Sequence, residues 1–357
     1  MMTDKIAVVL FNLGGPDGPD AVQPFLKNLF SDKAIIRAPG PIRWMLANLI
    51  SASRAKSARE NYAKMGGGSP LLPETEAQAK ALEVELTKRG WVAKTFIAMR
   101  YWKPFAQDTV QKIELWAPTK VILLPLYPQF STTTTASSLL DWRKSGGRAD
   151  GVVCCYPTAA KLVSAHAAKI LEAWRQGGEP SNVRVLLSAH GLPENVIKSG
   201  DPYQSQVEKT AEAVRAELPD DWEVTVCYQS KVGPLKWIGP ATDEAIIEGA
   251  RANKALIVSP IAFVSEHIET LVELDEEYKH VAEENGVRSY IRVPALGLNP
   301  LFIELLGDLV ESALQDPLSP SPMSECGGRL CSSSFAGCPN QRACRTPSPA
   351  NALGMSA

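Results

Sequence analysis

No stretch of this sequence stays apolar for long enough to cross a bilayer. Runs such as Val121–Leu124 and Ala255–Val258 are broken within a few residues by proline or polar groups, far short of the ~18 apolar residues that a spanning helix needs. Positive charge is not in excess: 37 Lys and Arg stand against 39 Asp and Glu, a formal net charge of −2. There is no overall basic field to attract nucleic acid. The start, Met1-Met2-Thr3-Asp4-Lys5, runs into a strand-like segment with neither the apolar region nor the small-residue cleavage site of a secretory leader, so a cytoplasmic location is expected. Phosphate-binding glycine patterns are also missing. Gly14-Gly15-Pro16 follows a strand but matches neither G-x-G-x-x-G nor the P-loop, and Gly66-Gly67-Gly68-Ser69-Pro70 follows a helical stretch. Histidine is scarce, at 4 residues; His166 and His280 read as surface helical positions, which leaves His190 and His267 at strand ends. The 7 cysteines are an odd number, and a reducing compartment argues against a disulfide framework.

What is present is ordinary globular material, 357 residues with 45% hydrophobic and 21% charged. Short β-branched runs alternate with segments of helical period, the pattern of βαβ units around parallel sheets. Eight strands are expected, Ile6–Asn12, Lys94–Met99, Val121–Leu124, Val152–Tyr156, Val183–Ser188, Glu223–Tyr228, Ala255–Ser259 and Ser289–Val293. They divide into four and four. Val8–Pro16 aligns without gaps on Val185–Pro193, which suggests two doubly wound α/β lobes of like topology. The expected lobes are 1–160 and 161–315, with the last amphipathic helix, Pro300–Leu314, able to pack back on the first. From Asp316 the chain is rich in Pro, Ser, Gly and Cys, and the segment 316–357 reads as a tail unable to fold without outside help.

In such sheets ligands sit beyond the carboxyl ends of the strands, so chemistry is read there. His190 lies in the turn Ser188-Ala189-His190-Gly191-Leu192-Pro193, where it is a base, a metal ligand, a proton carrier or simply a hydrogen-bonded turn residue. His267 opens a helix on which Glu269, Glu273 and Glu277 recur every four residues, a carboxylate rail on one face. No Lys or Arg interrupts Glu266, Glu269, Glu273, Asp275, Glu276 and Glu277 before Lys279. Such unrelieved repulsion suggests a visiting cation, against the plainer reading of a solvated acidic face. An imidazole and a carboxylate facing each other suit a transient divalent transition metal. Other junctions, Arg100-Tyr101-Trp102, Tyr127-Pro128-Gln129-Phe130-Ser131 and Tyr228-Gln229-Ser230-Lys231 with Trp237, mix aromatic faces with cationic and hydroxyl tips. That mixture suits an apolar macrocycle with carboxylate arms.

These motifs resemble those of the ferrochelatases, which insert ferrous iron into a porphyrin. The likeness runs from Val8 to about Leu314. It rests on Asn12–Pro16, Gly66–Pro70, Arg100-Tyr101, Tyr127–Ser131, Ser188–Pro193, Gln229–Trp237 and above all Ser265-Glu266-His267-Ile268-Glu269-Thr270-Leu271. The resemblance implies two Rossmann-like lobes with a cleft between them. It also implies that His190 and Glu269 oppose each other across the porphyrin as catalytic groups and contacts of the iron substrate. His190 is then base or metal ligand. His267, Glu273 and Glu277 extend a path for protons or metal, and Leu13, Arg37, Arg100, Tyr101, Gln129, Ser131 and Trp237 line the porphyrin site.

The segment Ile35–Leu46 resembles the family's lip over the active site, with Trp44 and Met45 facing a membrane surface; otherwise it is an amphipathic helix on the core. Some ferrochelatases carry a 2Fe–2S cluster, and the tail cysteines Cys326, Cys331, Cys338 and Cys344 are its expected ligands, with Cys154 or Cys155 as substitute. Their spacings, x4, x6 and x5, differ from the plant-type ferredoxin pattern, and Ala165 stands where animal members place an upstream ligand. The alternative is a tail of free thiols. No other cofactor is expected, and the partners are porphyrin and Fe²⁺, with peripheral contact at the inner face of the cytoplasmic membrane and a monomer or homodimer. Rival functions are a coproporphyrin ferrochelatase, a cobalt or nickel chelatase, and a non-catalytic tetrapyrrole or metal carrier.

Overall fold

The structure is a computed structural model, and it describes residues 4–344. Among the described residues there are nine strands: β1 (Lys5–Asn12), β2 (Val92–Met99), β3 (Lys120–Pro125), β4 (Gly151–Cys155), β5 (Val183–His190), β6 (Glu223–Gln229), β7 (Ala255–Pro260), β8 (Tyr290–Arg292) and β9 (Met323–Ser324). They form two all-parallel sheets of order β2-β1-β3-β4-β9 and β6-β5-β7-β8. Both repeat the same placement, since β1 lies between β2 and β3 as β5 lies between β6 and β7. Helices cover both faces, so the central strands read as continuous apolar runs; Ala7 to Asn12 and Val183 to Ala189 are buried throughout.

The helices are α1 (Val22–Ser31), α2 (Gly40–Lys64), α3 (Leu71–Lys88), α4 (Ala106–Trp116), α5 (Thr135–Lys144), α6 (Ala160–Gln176), α7 (Glu194–Lys198), α8 (Tyr203–Arg215), α9 (Thr242–Arg251), α10 (Ile268–Leu271), α11 (Tyr278–Glu284) and α12 (Pro300–Gln315). A π-helical turn, Glu273–Glu277, joins α10 to α11. Asn299 caps α12 by accepting from the Leu301 N–H at 3.0 Å, with Pro300 at its first position. The apolar face of α12, including Phe302, Leu306 and Val310, joins the core built on Ile6, Leu82 and Ile122 of the first sheet.

Two expectations need correction here. His166 is not on the surface: it is 3% exposed, because α6 contributes Leu162 and Ala165 to one core and Val163, Ala167 and Ile170 to the other. Burial pushes its imidazole down to about 4. The tail as far as Cys344 is also built into the fold. Met323 and Ser324 add a fifth strand beside β4, and Arg342 grips the buried Asp316 carboxylate at 2.8 and 3.0 Å. Residues 345–357 of the expected tail lie outside the described residues.

Candidate active site

His190 is the last residue of β5, and Glu269 belongs to the segment that follows β7. These strands are paired neighbours, so their carboxyl ends deliver both side chains to one edge. His190 Nδ1 lies 3.4 Å from Glu269 Oε2, with 35% and 25% of the side chains exposed. The two groups therefore touch on the same side, which overturns the expectation that they face each other across a ring. His267 brings Nε2 to 3.8 Å from the same carboxylate oxygen, and its ring stacks edge-on against Phe263 at 4.5 Å. Trp237 stands beside His190, ring centroids 6.4 Å apart and nearly perpendicular.

Burial works against both charges of the central pair, and their mutual attraction overrides it. Glu269 would be raised by burial, but the positive field and hydrogen-bonding of His190, with help from His267, pull it down to about 2. His190 is lowered by burial and raised further by Glu269, ending above its ordinary value. His267 ends below its ordinary value because burial dominates. Glu273 behaves oppositely to Glu269: burial and the neighbouring Glu269 charge push it up to about 7, against hydrogen bonds from Ser230 and Gln229 and the His190 field. Two carboxylates four residues apart thus hold their protons very differently.

The carboxylate rail is shorter than its spacing suggests. Gln229 Nε2 donates both to the Glu269 carbonyl at 2.7 Å and to Glu273 Oε2 at 3.1 Å, joining those two residues. Glu277, the last residue of the π turn, is exposed. Three of the apparently unrelieved acids find cations far along the chain: Glu266 and Asp275 both pair with Arg292 at 2.6 Å, and Glu276 pairs with Lys64. The repulsion read from local sequence is thus relieved by tertiary contacts at Glu266, Asp275 and Glu276, and at Glu269 by His190.

Among the residues expected to line a porphyrin, Leu13 follows β1 in the other lobe and packs in a cluster that also holds Ile268. Arg37 is exposed and reaches Ser199 Oγ at 2.9 Å, lining a cavity of about 580 Å³ with Lys33, Thr132 and Leu140. A second cavity, of about 360 Å³, adjoins Asp32 and Arg100. Neither includes His190 or Glu269 in its lining. Tyr101, Gln129 and Ser131 are 1–2% exposed and spend their polar atoms internally. Arg100 Nη2 and the Tyr101 hydroxyl both bond Asp32 Oδ2, at 2.8 and 3.0 Å, and Arg100 Nε donates to Ser137 at 2.7 Å. Gln129 donates to Thr210, and Ser131 to Asp201. These internal bonds make the four part of the packing that holds the loops after β2 and β3 in place. Sequence reading missed Asp32 and Asp201, neither of which belongs to a spaced motif; it placed Ser230 in the Tyr228–Lys231 junction without its bond to Glu273.

The tail cysteines fall into two groups. Cys326 and Cys344 form a disulfide, against the expectation of none, since the tail folds back until their Cα atoms are 5.2 Å apart. Cys331 and Cys338 are free and buried, as are Cys154 and Cys155. A hydrogen bond between Cys331 and Cys338 pulls Cys338 down to about 6 and pushes Cys331 well up. Among the described residues, no three His, Cys, Asp or Glu side chains are grouped to hold a metal ion as they stand.

The arrangement is a chelatase fold. It superposes on SirB from Bacillus subtilis, solved with Fe³⁺, with a TM-score of 0.52 at 13% identity, covering 88% of this chain and 97% of that one. The chain belongs to the ferrochelatase family, whose family profile matches residues 5–314. It is 58% identical over 342 residues to the ferrochelatase of Caulobacter vibrioides, covering 95% of this chain and 98% of that protein. It is 56% identical to that of Hyphomonas neptunium, covering 95% of each. It is accordingly an enzyme, a metal-chelating lyase.

Proposed function

We propose that this enzyme inserts Fe²⁺ into protoporphyrin IX, giving protohaem and releasing two protons. The observation that carries the reading is the His190–Glu269 contact at 3.4 Å, placed where two neighbouring strands of one sheet end. Insertion exchanges two pyrrole N–H protons for one dication, so it needs a base of near-neutral pKa and anionic oxygen for a metal shedding water. With Nδ1 held toward Glu269, the other ring nitrogen of His190 is left to take a pyrrole proton. Glu269 then steadies the imidazolium, and Glu273, poised near 7, passes the proton on. No electron is transferred. The ring lies in the cleft between residues 1–160 and 161–315, with Leu13 and Trp237 as apolar contacts.

Steady-state insertion of Fe²⁺ into protoporphyrin and into coproporphyrin, with His190→Ala as control, tests this. Faster turnover of coproporphyrin, or full activity of the variant, overturns it.

Two finer readings go with it. On α2 and the segment before it, Ile35, Ile42, Trp44, Met45 and Leu49 are 38–65% exposed, an apolar patch that supports peripheral contact with a membrane where porphyrin partitions. No described helix is long and apolar enough to cross one. The tail thiols support a 2Fe–2S cluster held by Cys155, Cys331 and Cys338, with Cys326 or Cys344 as fourth ligand after reduction of their bond. Gln206 Nε2 already points at Cys155 Sγ and Cys331 Sγ, at 3.5 and 3.0 Å. Asn340, 2% exposed, keeps a buried Nδ2 with no partner two residues from Cys338, a donor suited to sulfur. When bound, such a cluster supplies a one-electron centre. A colourless, iron- and sulfide-free protein from anaerobic purification would exclude it.

A further inference from the structure

The thiol-bearing tail and the loop 130–132 after β3 are separate in sequence, yet one side chain holds both. Gln206 lies in the first turns of α8 and is 1% exposed. Its Oε1 accepts the Phe130 N–H at 2.7 Å, and its Nε2 donates to Cys331 Sγ at 3.0 Å. Beside it, Lys209 Nζ donates to the Leu330 carbonyl at 2.6 Å. A second bridge runs parallel. The Gly337 N–H donates to the Gly200 carbonyl at 2.9 Å, and a Cβ at Gly337 would meet that oxygen at 2.9 Å and Thr132 Cγ2 at 3.0 Å. Asp201, next in the chain, accepts from the Thr132 N–H and hydroxyl at 2.7 and 2.6 Å. Loop 130–132 is thereby fixed from one side by Gln206 of α8 and from the other by Asp201, whose neighbour Gly200 holds the tail, and Thr132 lines the cavity that Arg37 also lines.

We propose that Gln206 is a positioning residue through which the state of the Cys331–Cys338 tail and the occupancy of the porphyrin cleft are coupled. The amide commits its oxygen to the Phe130 N–H and its nitrogen to the Cys331 and Cys155 sulfurs, so a shift of loop 130–132 on ring binding pulls on the thiols, and a change at the thiols moves the loop. Such coupling is reciprocal. The inference rests on the porphyrin reading above and adds to it a route from cleft to tail.

Hydrogen exchange, read by mass spectrometry on the whole chain with and without metal-free protoporphyrin, tests it. Porphyrin is expected to slow exchange in peptides covering 188–193 and 263–271 and, in the unsubstituted chain, also in 323–344. In Gln206→Leu the cleft peptides should still respond and the tail peptides should not. Porphyrin KM should rise about 3- to 10-fold with kcat within about twofold, the scale of one or two lost hydrogen bonds. Gln206→Glu keeps the acceptor for Phe130 and removes the donor toward sulfur, so it must lose the tail response with the fold intact should the leucine variant fail to fold. A tail that ignores porphyrin while the cleft responds, or an undiminished tail response in Gln206→Glu, overturns the coupling alone. Cleft peptides that ignore porphyrin overturn the underlying reading and the coupling with it.

Discussion

Ser230 holds Glu273 from a left-handed backbone: its hydroxyl donates to Glu273 Oε2 at 2.7 Å while its φ is 65°. A non-glycine residue is kept there only when its surroundings enforce it, and here the enforced conformation directs a donor at a carboxyl group poised near 7. Insertion should therefore show a limb in kcat that rises with pH through about 7, as Glu273 ionises and can accept the proton leaving His190. Glu273→Gln should flatten that limb in a kcat–pH profile. The stability sign is independent of mechanism. A carboxyl raised on folding contributes stability below its unfolded value and loses it as pH rises through the folded one. Relative to the native chain, Glu273→Gln should thus gain stability at pH values above about 7, measured by urea midpoints on either side of it.

His190→Ala removes the base proposed above and takes from Glu269 the imidazole 3.4 Å away. The expected loss in kcat is on the order of 10²- to 10⁴-fold, with porphyrin affinity, read by fluorescence quenching, changed far less because Leu13 and Trp237 remain.

Asp32 organises a hydrogen-bonded cluster in the first lobe. It accepts from Arg100, the Tyr101 hydroxyl, Ser137 and the Ala34 N–H, and these partners outweigh burial to hold its carboxyl below the ordinary 3.8. Asp32→Asn leaves Arg100 poorly paired in a half-buried site, and should cost about 3 kcal/mol in equilibrium unfolding. The native contribution is present above the ordinary carboxylate value and is lost as pH falls through the lower folded one. The variant's deficit should accordingly shrink in acid.

Gly328 lies against the Ala343–Cys344 segment that closes the tail: a Cβ there would run into the Ala343 carbonyl, and its own carbonyl accepts from Ser324 at 2.6 Å. Gly328→Ala should pry the tail open, seen as rapid tryptic cleavage after Arg329 in protein that otherwise keeps its melting profile. Resistance equal to the native chain would contradict this packing.

The strands were legible because parallel sheets demand unbroken apolar runs, and Val8–Phe11 and Val185–Leu187 supply them. His190 and Glu269 were legible because strand ends are where such sheets place chemistry. What sequence could not reveal were relations that depend on distant partners. Arg292 neutralises Glu266 and Asp275, so most of the acidic run is structural. The π turn at Glu273–Glu277 breaks the four-residue stacking that places Glu277 with Glu273. Arg100 and Tyr101 looked like ligand contacts because nothing near them in the chain announces Asp32. Nor does α6 signal that its two faces serve different cores, which is why His166 was misplaced.

The seat of α12 bears on how the molecule is made. Phe302, Leu306 and Val310 complete a core whose other members, Ile6, Leu82 and Ile122, leave the ribosome far earlier. A nascent chain that has completed only β1 to β4 exposes that apolar surface until α12 has been made. The amino-terminal half is therefore a client of a helix that begins only at Pro300, and the interval before that helix arrives is the period of greatest exposure to aggregation.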